Sequence, residues 1–384
     1  MEGNIVNYIT QIRGVSYKPS DLHDSLNKNS IILLRANNIN NGKINFEDVV
    51  YVDKSKVSET QVLRKNDILI CASSGSKKLV GKAASFNESI ECTFGAFCKV
   101  IRPRNILGSY LSAFFQSEYY KFHISQLANG ANINNIKNEH INSFSIPERS
   151  FEEQKEISYK VSSLNRIIES YNRELELLDE LIKARFVEMF GDNKYEELAV
   201  EKVCTSIVDC PHTTPKYNGD LRNPAIRTSE IKKGFITWDT MKYVSDEEYI
   251  ERTARLKPQQ GDIVYGREGT FGNAAILPKG YKFCLGQRVM LLRPNNEFCI
   301  SQYLLRALIS DEVYNQALAK NNASTVAHVN VKDVKNFMIP VPPLELQNQF
   351  ASFVEEIDKS RSRIQKSLKA SQELFDSLMQ EYFG

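Results

Sequence analysis

The side chains best suited to contact a nucleic acid lie in short loops that follow apolar, β-type runs. Arginine can donate two hydrogen bonds to guanine, asparagine can pair with adenine, and serine, threonine and lysine hold phosphates. Such loops occur at comparable places in both halves of the chain. The candidate DNA-contacting residues are Arg35, Asn37, Asn38, Ser73, Ser74, Ser76, Lys77 and Lys78 in the first half, and His212, Thr213, Thr214, Lys216, Tyr217, Thr228, Ser229, Arg267, Glu268 and Thr270 in the second.

Motifs that would indicate catalysis are incomplete. The segment from Gly75 to Ala83 is similar to a phosphate-binding loop, but it has five residues between its glycines where four are needed, and Ala83 stands where the metal-binding hydroxyl belongs. Asn223-Pro224-Ala225-Ile226 lacks the second proline and the aromatic residue of an amino-methyltransferase motif. Cys210-Pro211-His212 has no second ligand pair at metal-binding spacing and is typical of a turn. We therefore expect no catalytic residue, no metal site and no bound cofactor in this chain.

Composition indicates a folded protein without a membrane partner. The 384 residues are 42% hydrophobic and 25% charged, enough for two or three domains. The sequence has no apolar run of membrane-spanning length and no signal-peptide pattern, and its seven cysteines form no CxxC pair, which favours free thiols in a reducing cytoplasm. The net charge of +2 is uneven: segments 152–190 and 344–383 together carry −5 and the remainder +7, which is compatible with a polyanionic partner.

The second half of the chain repeats the first at an offset of 191–195 residues. The matches keep their order along the whole chain, which chance does not explain. The clearest pairs are Leu34-Arg35-Ala36 with Ile226-Arg227-Thr228, Asp67-Ile68-Leu69 with Asp262-Ile263-Val264, Gly95 with Gly286, Phe144-Ser145-Ile146-Pro147 with Phe337-Met338-Ile339-Pro340, Gln154 with Gln347, and Met189-Phe190-Gly191 with Tyr382-Phe383-Gly384.

Each repeat changes once, from short β-rich runs to one long helix. Proline at 147 and at 342–343 fits the position just before a helix or in its first turn. We predict globular domains over 1–150 and 192–343, each followed by a helical segment, over 151–191 and 344–384. The fold class is α+β: two tandem domains of mixed β-structure with helices, each followed by a long α-helix.

Both predicted helices carry apolar residues spaced alternately four and three apart. Nine of the ten seam positions are apolar in the first helix and eight of ten in the second. Two matched helices, each about 60 Å long, favour packing against each other as a coiled coil over packing only on their own domains. The predicted seam residues are Ile157, Val161, Leu164, Ile168, Leu175, Leu178 and Ile182 in the first helix, and Phe350, Val354, Ile357, Ile364, Leu368, Phe375 and Leu378 in the second.

These features resemble the specificity subunit of type I restriction-modification systems. Two globular halves each lead into a long helix, the second through Ile339–Gln347 (IPVPPLELQ). Strings similar to that family's target-recognition domains are DCPHTTPKY at 209–217, IRTSEIKKGFI at 226–236, GDIVYGREGTFGNAAIL at 261–277 and CLGQRVMLLRP at 284–294. The resemblance covers the full chain.

The resemblance implies that each globular half reads one part of a split sequence in double-stranded DNA. The helices would pack as an antiparallel coiled coil, form a spacer between the readers and dock the partner subunits: two methyltransferase (modification) subunits and two restriction, or motor, subunits. S-adenosylmethionine for adenine-N6 methylation, and ATP with magnesium for cleavage, are then expected on those partners. Two alternatives stay open: a coiled-coil interaction protein that binds no DNA, and a nuclease or methyltransferase with unrecognised motifs.

Overall fold

The computed structural model describes residues 2–40, 42–76, 79–130, 135–191, 195–218, 221–268, 272–320 and 328–384. The chain forms two compact units, one of Met1–Asn172 with Gln365–Gly384 and the other of Arg173–Ile364. Each unit therefore combines one globular half with parts of both long helices, so the units do not follow the order of the sequence. Among the described residues, none of the helices has the apolar length that a membrane crossing requires.

Unit 1 consists of short strands followed by helices. Short 3₁₀ turns at Ile5–Tyr8, Pro19–Asp21, Ala36–Asn38, Lys54–Lys56 and Glu59–Gln61 connect the strands. The strands are β1 Glu2–Asn4, β2 Ile9–Arg13, β3 Leu22–His23, β4 Ser30–Leu34, β5 Ile39–Asn40, β6 Lys43–Ile44, β7 Val50–Asp53, β8 Ile68–Cys71, β9 Ala83–Ser85, β10 Cys92–Phe94, β11 Cys98–Pro103 and β12 Ser145–Pro147; the helices are α1 Gly108–Phe114, α2 Glu118–Gly130, α3 Asn138–Asn142 and α4 Phe151–Phe190.

Two four-stranded sheets form the centre of unit 1, with strand orders β10-β4-β7-β3 and β2-β11-β8-β9. The strands β4 and β8 are buried along their whole length, so their sequences are continuous apolar runs rather than alternating ones. β10 runs parallel to β4, while β11 runs antiparallel to both β2 and β8. Because β10 and β11 are joined by one short turn, that turn connects the two sheets.

Unit 2 has the same construction. The elements are β13 Glu197–Ala199, β14 Cys204–Asp209, β15 Tyr217–Asn218, β16 Asn223–Ile226, β17 Lys242–Val244, α5 Asp246–Arg252, β18 Ile263–Gly266, β19 Ala274–Ile276, β20 Cys284–Leu285, β21 Val289–Pro294, α6 Ser301–Leu308, α7 Asp311–Lys320, α8 Val331–Lys335, β22 Met338–Pro340 and α9 Leu344–Phe383. The strand orders β15-β17-β16-β20 and β14-β21-β18-β19 place a parallel pair, β16 with β20, at the position of β4 with β10.

A capping box starts the first long helix. The Ser150 amide donates to Glu153 Oε2 at 2.8 Å, and the Glu153 amide donates to Ser150 Oγ at 3.3 Å. This Ser-x-x-Glu pattern satisfies amide groups that a helix start otherwise leaves unpaired. At the second helix the carbonyl of Pro343 accepts the amides of Leu346 and Gln347. Local sequence therefore specifies where both helices begin.

The predicted seam coincides with the covered stripe of each long helix. Apolar residues off the seam, such as Leu177 and Leu181, are exposed. The seam residues Ile157, Val161, Ile182, Phe350 and Val354 are buried, and Leu164, Ile168, Leu175, Leu178, Ile357, Ile364, Leu368, Phe375 and Leu378 are half-buried. A 3.5-residue repeat predicts this stripe because it keeps one side of a helix facing its neighbour.

In unit 2 the two helices run antiparallel. Asp179 contacts Arg361, with 2.6 Å between Oδ1 and Nη2, and the ring of Phe186 lies 5.5 Å from that of Phe350. As the residue numbers rise along α4, the numbers of the residues that they contact in α9 fall, which is the pattern of antiparallel helices. Coiled-coil packing along the full seam stays a prediction.

In unit 1 the last residues of α9 share a core with the first turns of α4. Tyr382 and Phe383 are buried in the cluster that contains Ile157 and Val161. The ring of Phe383 lies 5.1 Å from the ring of Tyr110 in α1. In unit 2 the repeat-equivalent ring of Phe190 occupies the matching position, 4.9 Å from Tyr303. The final turn of each long helix is therefore part of a domain core.

A repeated ion pair joins two neighbouring strands of one sheet in each unit: β8 and β11 in unit 1, and β18 and β21 in unit 2. Arg102 donates to both carboxylate oxygens of Asp67 at 2.8 and 2.7 Å, and Arg293 donates to both oxygens of Asp262 at 2.8 Å. The two aspartates are fully buried. A buried carboxylate needs such a bidentate partner because desolvation penalises an unpaired charge. The sequence match between Asp67 and Asp262 thus reflects a shared structural need.

A buried glutamine joins each long helix to its domain. The side-chain oxygen of Gln154 accepts the Leu107 amide at 2.9 Å, and that of Gln347 accepts the Ile300 amide at 3.0 Å. Gln347 also donates to the carbonyls of Phe298 and Pro342, each at 2.8 Å. These bonds pair backbone groups that are buried or partly buried.

Candidate nucleic-acid interface

In unit 1 the strand order brings the predicted loops to one edge of the two sheets. β4 and β10 are parallel and end together, and the antiparallel register of β11 with β8 sets the start of β11 beside the end of β8. The turn Gly95–Phe97 joins the loops: the Gly95 amide donates to the Leu34 carbonyl at 3.0 Å, and the amides of Ala72 and Ser73 donate to the Phe97 carbonyl at 2.9 Å. The Arg35 loop and the Ser73 loop therefore meet at this turn.

Unit 2 builds the same edge. The Gly286 amide donates to the Ile226 carbonyl at 2.7 Å, and the Arg267 amide donates to the Arg288 carbonyl at 3.0 Å. The turn Gly286–Arg288 thus stands where Gly95–Phe97 stands in unit 1, between the ends of β16 and β18. β14 also ends here, since Asp209 is opposite Met290 near the start of β21. We call this set of strand ends and loops, with its counterpart in unit 1, the loop edge.

A further segment reaches the loop edge in both units. The Ile136 amide donates to the Ala72 carbonyl at 2.7 Å, and the Val329 amide donates to the Arg267 carbonyl at 2.9 Å. The residue before Ile136 forms an isolated β-bridge with the loop after β8, and the residue before Val329 forms one with the loop after β18. Backbone geometry of the loop edge is therefore common to the two repeats, whereas the side chains on it differ.

The unit 1 candidates that the structure describes divide by exposure. Arg35 is half-buried and donates to the carbonyl and the carboxylate of Asp48 at 2.7 and 2.9 Å, and exposed Asn37 donates to the same carboxylate at 3.2 Å. Ser73 and Ser74 are half-buried and Ser76 is exposed. Lys77 and Lys78 lie outside the described residues, so their placement stays a prediction.

Asn38 does not fit the predicted role. Its side chain is fully buried, its oxygen accepts the Arg35 amide at 2.9 Å, and its amide group donates to the Glu47 carbonyl at 2.7 Å. Asparagine is common in turns because it can bond neighbouring backbone in this way. We correct the prediction accordingly: Asn38 holds the shape of the Arg35 loop and does not reach a base.

The first loop of unit 2 presents exposed residues on a buried anchor. His212, Thr213, Thr214 and Lys216 are exposed. The buried guanidinium of Arg252 donates to the carbonyl of Thr213 at 3.2 Å, and Gln287 donates to the hydroxyl of Thr214 at 2.9 Å. The hydrogen bonds from Arg252 and Gln287 therefore hold the loop on its inner side, while its outer side chains face solvent.

Tyr217 lies between two cations. Its ring centre is 4.7 Å from Lys242 Nζ and 5.9 Å from the Arg227 guanidinium. Such contacts help to hold basic groups in place. Lys242 and Arg227 were not among the sequence candidates; the repeat match of Arg35 with Arg227 is the signal that could have identified the latter.

The next loop surrounds a buried carboxylate. Burial raises the pKa of Glu230, but hydrogen bonds from Arg227, Ser229 and Thr240 outweigh it and hold that pKa below its usual value. The Ser229 hydroxyl donates to Glu230 Oε1 at 2.7 Å. Thr228 is half-buried and Ser229 is exposed. The charged Glu230 thus organises this loop as Asn38 organises its counterpart.

Arg267 also requires a correction. Its side chain is buried, Nη2 lies 2.9 Å from Asp209 Oδ1, and Nη1 donates to the Val329 carbonyl at 3.4 Å. Since these partners hold the guanidinium inside the domain, Arg267 braces the loop edge and does not read a base. Glu268 pairs with the exposed Arg288 at 2.9 Å. Thr270 lies outside the described residues.

The family model for the type I restriction modification DNA specificity domain matches residues 9–180 and 219–373. The specificity subunit of the type I restriction enzyme EcoKI from Escherichia coli K12 is 29% identical, over 94% of this chain and 82% of the relative. The specificity subunit of StySPI from Salmonella potsdam is also 29% identical, over 97% of this chain and 84% of the relative.

Two solved structures share the fold. The S subunit of a type I restriction-modification system from M. genitalium superposes with a TM-score of 0.55 at 14% identity, covering 100% of this chain and 96% of that one. A chain from a study of complex assembly and conformational transition of the type I R-M system gives 0.52 at 16%, covering 98% and 97%.

The matched family domain occupies most of both repeats, and the side chains on the two loop edges differ. The chain belongs to the type I restriction modification DNA specificity domain family. With two such domains and full-length relatives of the same kind, it is a type I specificity subunit. The alternative of an interaction protein without a DNA role is therefore dismissed.

Proposed function

We propose that this chain reads a bipartite DNA target, one half with each loop edge, and so directs adenine-N6 methylation and cleavage by partner subunits. One observation carries the proposal: the two loop edges share their backbone hydrogen bonds but present different side chains. A duplicated reader with different side chains suits an asymmetric target, because each half can discriminate separate bases.

In this proposal the loop residues fall into three groups: those that contact phosphates, those that contact bases and those that fix the loops. Lys216, Thr213, Thr214, Ser74 and Ser76 contact phosphates, which position the domain on the duplex without conveying sequence. The described candidates that remain for base edges, or for orienting the groups that touch them, are Arg35, Asn37, Ser73, His212, Tyr217, Thr228, Ser229 and Glu268. Buried Asn38, Glu230 and Arg267 fix the loops, which lowers the entropy cost of binding.

We further propose that the chain itself is not catalytic and binds no cofactor. S-adenosylmethionine would be bound by two modification subunits, and ATP with magnesium by restriction, or motor, subunits. The relative whose structure was studied for complex assembly of a type I system supports a multi-subunit setting. The long helices, with their shared seam, are the proposed spacer and docking element.

Genome-wide mapping of adenine methylation tests the function. A strain with the gene should show methylated adenines in one split motif, and deletion of the gene should remove that motif while leaving other methylation unchanged. Reintroducing the gene should restore it. If the methylated motifs are the same with and without the gene, or the purified chain methylates DNA with S-adenosylmethionine alone, the proposal fails.

A further inference from the structure

The turn that connects the two sheets occurs once in each unit, and its last residue has the same place in both. Gly95 aligns with Gly286 in the repeat, so Phe97 aligns with Arg288. The carbonyl of Phe97 accepts two amides from the loop after β8, and the carbonyl of Arg288 accepts one from the loop after β18. Both carbonyls therefore face inward and tie the turn to the neighbouring loop.

Both side chains, by contrast, are open to solvent. Phe97 is 72% exposed although the next residue, Cys98, is buried, and the side chain of Arg288 is 61% exposed beside buried Val289. A phenylalanine with this exposure loses the burial energy that phenylalanine ordinarily contributes, about 2 kcal/mol. Packing within the domain therefore does not account for the residue.

Arg288 is held in a conformation that presents it outward. Its φ of +66° lies in the left-handed region, which an L-residue other than glycine rarely adopts. Its Nε contacts Glu268 Oε2 at 2.9 Å, while Nη1 and Nη2 have no hydrogen-bond or ion-pair partner among the residues that the structure describes. Two free amino groups on an oriented guanidinium match the two acceptors, O6 and N7, of guanine.

We propose that Phe97 and Arg288 are specificity-determining residues at equivalent positions of the two loop edges: Phe97 contacts a thymine methyl group, and Arg288 is bidentate to a guanine. This inference rests on the proposed function and assigns its base contacts. Apolar contact with the thymine methyl group and arginine contact with guanine are the two major-groove interactions that these side chains support. One turn would thus read different bases in the two halves because its last residue differs.

Methylation mapping in cells that contain the whole system gives the first test. Phe97→Ala should relax one position of the half-sequence read by unit 1, and Arg288→Ala one position of the half-sequence read by unit 2. The loss of discrimination should be about 4-fold for the methyl contact and about 5- to 150-fold for the bidentate contact. The other half-sequence should stay unchanged in each variant.

Two matched controls accompany these variants. Phe122 is also exposed, at 59%, but lies on α2 and not in the loop edge. Arg222 is 66% exposed and paired with Asp246 at 3.1 Å, but it precedes β16, at the end of that strand opposite Ile226. Phe122→Ala and Arg222→Ala should leave the motif unchanged.

Modified bases give a second test that does not depend on expression in cells. The assembled complex is measured against synthetic duplexes of the mapped target. Replacing the thymine with uracil removes only the methyl group, and replacing the guanine with 7-deazaguanine removes only N7. Each change should weaken binding by the wild type, whereas uracil should cost nothing further to Phe97→Ala, and 7-deazaguanine nothing further to Arg288→Ala.

The outcomes separate the inference from the function on which it rests. If the wild-type chain specifies no split motif, the proposed function itself fails. If it does, but the variants keep the original motif, or the base changes and substitutions weaken binding additively, Phe97 and Arg288 are not base contacts and the inference is overturned.

Discussion

Arg267 and Asp209 form an ion pair inside unit 2, with 2.9 Å between Nη2 and Oδ1 and with 6% and 17% of their side chains exposed. The pair connects the end of β14 to the residue that follows β18, and so links two strands that terminate at the loop edge. A charge pair of this burial fixes the position of both strand ends, because removing Arg267 leaves the mostly buried Asp209 carboxylate without its guanidinium partner.

The first prediction concerns this pair. Arg267→Ala should lower the free energy of unfolding of unit 2 by about 3 kcal/mol, because Asp209 loses its buried partner. Arg288→Ala, on the exposed side of the same loops, should change the free energy of unfolding by no more than about 0.5 kcal/mol. Fluorescence of Trp238, the single tryptophan and a residue of unit 2, reports the transition during urea unfolding. Equal stability of the two variants would contradict the bracing role.

A second prediction tests the junction between helix and domain. Gln347→Ala removes three hydrogen bonds, to the partly buried Ile300 amide and to the carbonyls of Phe298 and Pro342, so the free energy of unfolding of unit 2 should fall by about 3 kcal/mol. Gln349→Ala removes an exposed glutamine from the same turn and should be neutral. Trp238 fluorescence again provides the measurement. A neutral Gln347→Ala would show that these hydrogen bonds contribute little.

The third prediction concerns the last turn of α9. Phe383→Ala should destabilise unit 1 by about 3–5 kcal/mol, because the ring fills a site against Tyr110 and Phe114. Leu374→Ala alters a half-exposed leucine on the same helix and serves as the control. Hydrogen exchange of the α1 backbone amides should accelerate in the first variant only. Unchanged exchange in Phe383→Ala would mean that the domain core does not depend on this helix.

A fourth prediction follows from Lys99, next to the Gly95–Phe97 turn. Burial lowers the pKa of Lys99 to about 8, although its ammonium group contacts Gln11 Oε1 at 3.0 Å and Asn138 Oδ1 at 2.6 Å. The unfolded chain, with the ordinary lysine pKa of 10.5, binds this proton more tightly than the folded one. Between about pH 8 and pH 10.5 the contribution of Lys99 to stability should therefore increase with pH, by about 2 kcal/mol.

Other groups titrate in the same interval, so the measurement is a difference between two proteins. Burial raises the pKa of Cys98 to about 12, which makes stability fall as pH rises through the ordinary thiol range, and this effect is common to both proteins. The free energy of unfolding of wild type minus that of Lys99→Met should increase from pH 8 to pH 10. A difference that stays constant over this range would show that Lys99 has no depressed pKa.

Sequence alone was sufficient for the features that depend on local periodicity. The helices Phe151–Phe190 and Leu344–Phe383 were predictable because heptad spacing, a capping box and flanking prolines are all read within a few residues. The tandem duplication was equally accessible, since repeated residues need no knowledge of contacts. The polar loops after β4, β8, β16 and β18 were found for the same reason: a strand followed by polar residues is a local pattern.

Tertiary structure decided which residues in those loops face solvent. Arg35 and Arg267 are indistinguishable as arginines that follow a β-run, yet one is half-exposed and the other is buried against Asp209, which is 58 residues away in the chain. It also decided the composition of each compact unit. The end of α4 completes the core of unit 2, and the end of α9 completes the core of unit 1. The physical reason is that burial and pairing depend on contacts between distant segments, and a periodic pattern states only that a face will be covered, not by what.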